Sequence, residues 1–337
     1  MKKQGKNIII LLLVTFLVFY LIMKDDFSTK LNLILSMNKW WLVCAVIFIV
    51  MYWLLQTISL HAITPDNDEK PTFWTLFKST IICNFFSAIT PSATGGQPLQ
   101  IYFLKKNGLH LGTATNLVVS QSTFYQIALV IFGTVAIILN HFLDFFPNDL
   151  VLKKLVIIGY IVNVLVIALL IFVSRSKKSS HFLIMKIIRF LHKIKLIRNI
   201  DKMEKKVDNT IEKFYESSIA LGGNKKMIAK GILYNLLAFA CLYIVPLFVF
   251  YALGNYGNIN AMEVLVSSAY VMLIGAFVPI PGGSGGIEFA FINFFGFFIT
   301  GSKLMAILLV WRFITYYLSI LVGGIVLVLN KNKGEKK

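Results

Sequence analysis

Long apolar runs separated by short polar breaks dominate the chain. Runs of spanning length lie at about 7–23, 40–60, 115–139, 155–173, 227–253 and 304–329, each near the roughly 20 residues a helix needs to cross hydrocarbon. Two more apolar segments, about 72–104 and 263–299, are interrupted by proline and glycine. The first interruption reads Thr90-Pro91-Ser92-Ala93-Thr94-Gly95-Gly96-Gln97-Pro98, the second Pro279-Ile280-Pro281-Gly282-Gly283-Ser284-Gly285-Gly286-Ile287-Glu288. A shift of 190 residues takes Pro91 to Pro281, Thr94 to Ser284, Gly95-Gly96 to Gly285-Gly286 and Gly133 to Gly323. Proline and glycine break helices, and broken backbone survives in a bilayer only where protein or a wet cavity satisfies it. Both segments therefore read as re-entrant hairpins, each with one limb too short to cross alone.

Lys and Arg set the orientation. The N-terminus, Lys105-Lys106, the 174–226 loop and the lysine-rich C-terminus are expected on the cytoplasmic side, and the 140–152 loop, with Asp144 and Asp149, outside. Three full spans separate the two corners, an odd number, so the hairpins should enter from opposite faces. The predicted fold is an all-α polytopic membrane protein, one membrane domain over 1–337. Within it the unit span–span–hairpin–span occurs twice, over 1–139 and 155–329, as an inverted repeat with a midplane site.

Composition agrees: 57% of residues are hydrophobic and mean hydropathy is +0.76. The first run, Asn7–Met23, follows Lys2, Lys3 and Lys6 like a signal peptide, but no small-residue cleavage site follows, so it is kept as a span. The net charge of +18 does not point to nucleic acid. Arg175 to Lys226 alone holds 14 Lys/Arg against 5 Asp/Glu, half of the excess, as expected of a cytoplasmic loop facing anionic lipid headgroups. Within it, His181 to Asn199 suits a helix lying in the lipid interface, and Asp201 to Ala220 a helix capped by Gly222-Gly223. Cys44, Cys83 and Cys241 are far apart and form no ligand set.

Charges at membrane depth mark candidate chemistry. Glu288 follows the second corner directly, and Arg312 lies two turns into the last span. They either bind a lipid, with Arg312 on the phosphate, or form a structural ion pair. The first half offers uncharged counterparts: Gln97 and Gln100 beside the corner, and Gln121, Ser122 and Gln126 on the next span, where amides also serve as helix glue. Backbone N–H groups at Gly95, Gly96, Gly285 and Gly286 offer an anion site. Gly282-Gly283-Ser284-Gly285-Gly286 formally fits G-x-S-x-G, but that pattern is weak in glycine-rich sequence, and His61, His110, His141, His181 and His192 all fall in loops or at span ends. No nucleotide, zinc or dinucleotide signature occurs, so no cofactor or metal is expected.

Together these residues resemble the lysylphosphatidylglycerol synthase transmembrane region. Ile89 to Pro98 with Gln100, Tyr102 and Lys105 is similar to its first signature, Pro279 to Glu288 to its second, and Trp311-Arg312 with Tyr316, Tyr317 and Gly323-Gly324 to its last span. The resemblance implies a substrate site around both corners, Arg312 and Tyr316. In long members of the family this membrane part flips aminoacylated phosphatidylglycerol, and a separate soluble domain makes it. Here the sequence ends at Lys337, just past its last span. A lipid translocase is therefore expected, moving lysyl-phosphatidylglycerol or another lipid-linked substrate across a bacterial cytoplasmic membrane and weakening cationic antimicrobial peptides. The alternatives are a phosphatidylglycerol lysyltransferase, alone or with a partner synthase, and a scaffold gathering lipid-synthesis enzymes through 174–226. Homo-oligomers are compatible with each.

Overall fold

The computed structural model describes residues 26–64, 71–146, 150–175, 181, 186, 200–257, 259–276, 278 and 280–334. The expected span at 7–23 and most of the interfacial stretch 181–199 lie outside them. Among the described residues all regular structure is helical: α1 (Phe27–Ser36), α2 (Lys39–Ala62), α3 (Phe73–Ile89), α4 (Gly96–Lys106), α5 (Leu111–Leu143), α6 (Leu150–Arg175), α7 (Ile200–Gly223), α8 (Lys225–Tyr243), α9 (Val245–Ala252), α10 (Ala261–Gly275), α11 (Gly286–Phe295), α12 (Gly301–Arg312) and α13 (Leu318–Gly334). Stretches long and apolar enough to cross a membrane are Lys39–Ala62, Leu111–Leu143, Leu150–Phe172, Lys225–Ala252 and Gly301–Asn330, matching the other five predicted spans.

The two interrupted segments are helix–turn–helix hairpins. α3 folds back on α4 and α10 on α11, each through a short 3₁₀ turn: Pro91–Ala93 at the first corner and Pro281–Gly283 at the second. Both turns begin at proline, whose fixed φ and missing N–H suit the first helical position. Two left-handed residues follow in each: Ser92 and Ala93 (φ 50° and 54°), and Gly282 and Gly283 (φ 64° and 62°). A hydroxyl closes each turn, Thr94 donating to the Pro91 carbonyl (2.9 Å) and Ser284 to the Pro281 carbonyl (3.0 Å). The two turns thus share left-handed geometry at their second and third residues, although only the second uses glycine for it; beyond them the backbones diverge, with Gly95 right-handed (φ −85°) and Gly285 at φ 87°.

Packing links the two halves of the chain crosswise. α2 lies along α8, and the two corner turns touch. The C-terminal half of α5 packs on α10, while α13 packs on α3. At the first of these contacts a methyl group on Gly133 would come 3.0 Å from Leu273; at the second, one on Gly323 would overlap Phe85. Side-chain-free surface at these two points lets the helix axes approach closely.

Three features differ from the sequence expectation. The 227–253 span is broken between α8 and α9, where Pro246 cannot donate a backbone hydrogen bond. The Tyr243 carbonyl next to the break accepts instead from the Ser268 hydroxyl of α10 (2.8 Å). The last span contains a π turn, Phe313–Tyr317, immediately after Arg312. α7 does end at the glycine pair, at Gly223, but neither glycine is left-handed, and Asn224 caps the next helix through Met227 N–H (3.1 Å). α7 packs along α5.

The shared turn conformation predicts opposite effects for two small substitutions. Gly282→Ala places a Cβ in a left-handed residue and against the Tyr316 ring, and should cost about 2 kcal/mol or more. Ala93→Gly should be neutral or stabilising by up to about 1 kcal/mol. Thermal unfolding of the detergent-solubilised variants measures both.

Candidate functional site

The second corner is closed by a buried ion pair. Arg312 Nε donates to Glu288 Oε1 at 2.7 Å, and Nη2 lies 2.7 Å from the same oxygen. Both terminal nitrogens of Arg312 also donate to the Gly282 carbonyl at 3.2 Å. The other Glu288 oxygen accepts the Gly285 N–H at 2.6 Å, capping α11. Glu288 is 8% exposed and Arg312 7%, a depth at which an unpaired charge costs roughly 2.5–3.5 kcal/mol on insertion scales. The guanidinium also lies 5.3 Å from the Tyr316 ring and 5.7 Å from Trp311, close enough for cation–π attraction.

Of the two roles open to these residues, the structure thus contains the pair. Glu288 spends both oxygens on protein groups. The pair also reaches the first corner. Tyr316, covering Gly282, donates its hydroxyl to the Ala88 carbonyl of α3 at 3.0 Å. The first corner closes differently: Thr90 accepts the Gly95 N–H (2.9 Å) and donates to the Phe86 carbonyl (2.6 Å).

Beside this junction lies a cavity of about 430 Å³, within the roughly 300–1,000 Å³ typical of small-molecule sites. Its walls come from both halves of the chain: α2, α3, the first corner, α4 and α5 on one side, and α6, α8, α10, the second corner, α12 and the π turn on the other. Of the residues expected at the site, Gln97, Gln100, Gly282, Gly283, Arg312 and Tyr316 line it. Pro91, Thr94, Gly95, Gly96, Pro281, Ser284, Gly285, Gly286 and Glu288 do not; they build the two corners behind it. Ser284, the formal nucleophile position, has its hydroxyl engaged in the turn.

The cavity wall is rich in carboxamides and hydroxyls. Gln56 donates to Tyr52 Oη (2.9 Å) and accepts from Asn84 (3.1 Å). Gln121 accepts from Ser59 (2.8 Å) and donates to Asn235 (3.2 Å), joining α2, α5 and α8, which is the helix-glue role anticipated for it. Gln126 departs from that role: its Oε1 is buried and has no partner. Lining residues that sequence reasoning passed over include Tyr52, Thr80, Ser87, Asn163, Thr315 and Ser319. Their signal was present as polar stripes at helical spacing inside apolar spans, such as Thr80/Asn84/Ser87 and Thr315/Ser319. Among the described residues no cluster of His, Cys, Asp and Glu has the makeup of a metal site.

A profile of the lysylphosphatidylglycerol synthase TM region matches residues 7–323, nearly the whole chain. The chain belongs to this family. Similar relatives are a UPF0104 membrane protein of Archaeoglobus fulgidus, 25% identical across 85% of each chain, and the UPF0104 membrane protein PH1989 of Pyrococcus horikoshii, 23% identical across 97% of each. An uncharacterized protein of Mycoplasma pneumoniae, the MG306 homolog, is 25% identical across 92% of this chain and 82% of its own length. With its apolar helices, membership in the lysylphosphatidylglycerol synthase TM family makes this a multi-pass membrane protein.

A double-mutant cycle separates pairing from individual roles. Glu288→Gln or Arg312→Met alone should each lower stability by roughly 3–5 kcal/mol, since either leaves a buried charge unpaired. The double variant should lose clearly less than the sum, read from thermal or denaturant unfolding in detergent.

Proposed function

We propose that the protein is a lipid translocase of the cytoplasmic membrane. The cavity between the two corners receives a phospholipid headgroup, Arg312 and nearby amides hold its phosphate, and the acyl chains stay in the bilayer. The two halves, 1–139 and 155–329, act as inverted repeats that rock against each other and open the cavity to each leaflet in turn. The N- and C-termini and the basic 174–226 region face the cytoplasm, where that region meets anionic headgroups.

The observation carrying this reading is that one polar cavity, inside an otherwise apolar helical protein, is walled by both halves and by both corners. The pattern of contacts supports the repeat. In a two-fold arrangement, if one element touches a second, their counterparts touch in exchange. Under the 190-residue shift α5 corresponds to the last span and α3 to α10, and α5–α10 is matched by α13–α3. Pairs that correspond to each other, α2 with α8 and corner with corner, meet directly, as elements on such an axis do. Glu288 enters this mechanism as the group that holds Arg312 in place, not as a headgroup ligand.

Reconstitution in liposomes with leaflet-specific fluorescent phospholipids tests the proposal. Wild-type protein should speed exchange between leaflets at least tenfold over protein-free vesicles, and Gln97→Leu in the cavity wall should remove most of that gain. Ile325→Ala, on an exposed apolar face of the last span, should leave the rate unchanged. No acceleration by wild type for any phospholipid removes the reading.

A further inference from the structure

The charges around the cavity are unevenly placed, and that bears on what it accepts. Arg312 lines the cavity, whereas its counter-ion Glu288 sits behind it with both oxygens engaged. Among the described residues no Asp or Glu side chain lines the wall. What remains is a concentration of neutral groups that both donate and accept: Gln56, Asn84, Gln97, Gln100, Gln126 and Asn163, with hydroxyls between them.

We propose that the cavity selects a phosphodiester lipid with an uncharged, hydroxyl-rich headgroup, a polyol or sugar, and rejects headgroups that carry an ammonium. The phosphate accepts from the Arg312 side chain where it lines the cavity, through the Nη1 N–H that Glu288 and the Gly282 carbonyl leave unengaged. The headgroup hydroxyls exchange hydrogen bonds with the carboxamide wall. An ammonium entering the same space loses its hydration and finds no free carboxylate in the wall to offset the loss. This deepens the translocase reading by naming the cargo class, and it rests on that reading only for the ligand being a lipid. It sets the protein apart from the aminoacylated lipid in its family's name.

Binding and transport measured separately keep the two ideas distinguishable. Purified full-length protein in detergent is titrated with short-chain phosphatidylglycerol, phosphatidylinositol, lysyl-phosphatidylglycerol, diacylglycerol and free glycerol 3-phosphate, followed by thermal stabilisation. Phosphatidylglycerol and phosphatidylinositol should bind at least about tenfold more tightly than lysyl-phosphatidylglycerol or diacylglycerol, and glycerol 3-phosphate more weakly than either lipid. Gln97→Glu, which puts a carboxylate in the wall, should narrow or reverse the gap against lysyl-phosphatidylglycerol. Equal or tighter binding of lysyl-phosphatidylglycerol by wild type overturns the inference, as does failure of every lipid to bind. Tighter binding of the free phosphate ester points to a soluble ligand and overturns it too. Selective binding without any transport in liposomes leaves the inference standing and removes the translocase instead.

Discussion

Backbone interrupted at membrane depth must find its hydrogen bonds within the protein, and the organisation of this molecule follows from how that is done twice. At the first corner a threonine hydroxyl suffices: Thr90 takes the Gly95 N–H and passes its own proton to Phe86. At the second, a charged pair does the work, with Glu288 taking the Gly285 N–H and Arg312 taking the Gly282 carbonyl. Each partner is tolerable at that depth because of the other. The Tyr316 hydroxyl then ties this knot to the Ala88 carbonyl of the first hairpin. Two corner turns, two halves of the chain and one cavity are held at a single junction.

Around that junction the polar groups separate into two kinds. Ser59, Gln121 and Asn235 bond to one another and join three helices, so their hydrogen bonds are complete without any ligand. Others, such as Gln97, Gln100 and Asn163, line the cavity. The first group explains how long helices associate when lipid removes the usual hydrophobic drive between them. The second gives the cavity its chemistry.

Much of this could be read from the chain before its structure. Proline and glycine inside apolar sequence leave few options for the backbone, so both hairpins and their spacing were visible in Pro91, Pro281 and the glycine pairs. Glu288 and Arg312 were visible because charge in hydrocarbon demands a reason. Their outcome was not: choosing between substrate and mutual pairing depends on α11 folding against α12 so that positions 24 apart in sequence meet. The Tyr316–Ala88 bond joins positions 228 residues apart, and no local pattern announces it. The π turn after Arg312 also has no residue signature, since isoleucine, threonine and tyrosine sit equally well in an α-helix within a packed bundle. Ser92 and Ala93 were hidden for the opposite reason: left-handed geometry is expected of glycine, and here it falls on residues whose identity argues against it.

That mismatch between corners has a kinetic meaning. A machine with two equivalent gates would rest equally in its inward- and outward-open forms. Here one corner carries an ion pair on a glycine turn, and the other a neutral clasp on a turn that puts Ser92 and Ala93 in left-handed geometry; in the proposed translocase the two corners would serve as its gates. If the gates open alternately, unlatching them demands different amounts of work, so the resting population leans to one side of the bilayer. Cargo arriving on the disfavoured side then meets fewer receptive molecules and shows a weaker apparent affinity there, even though the cavity itself is the same from both directions.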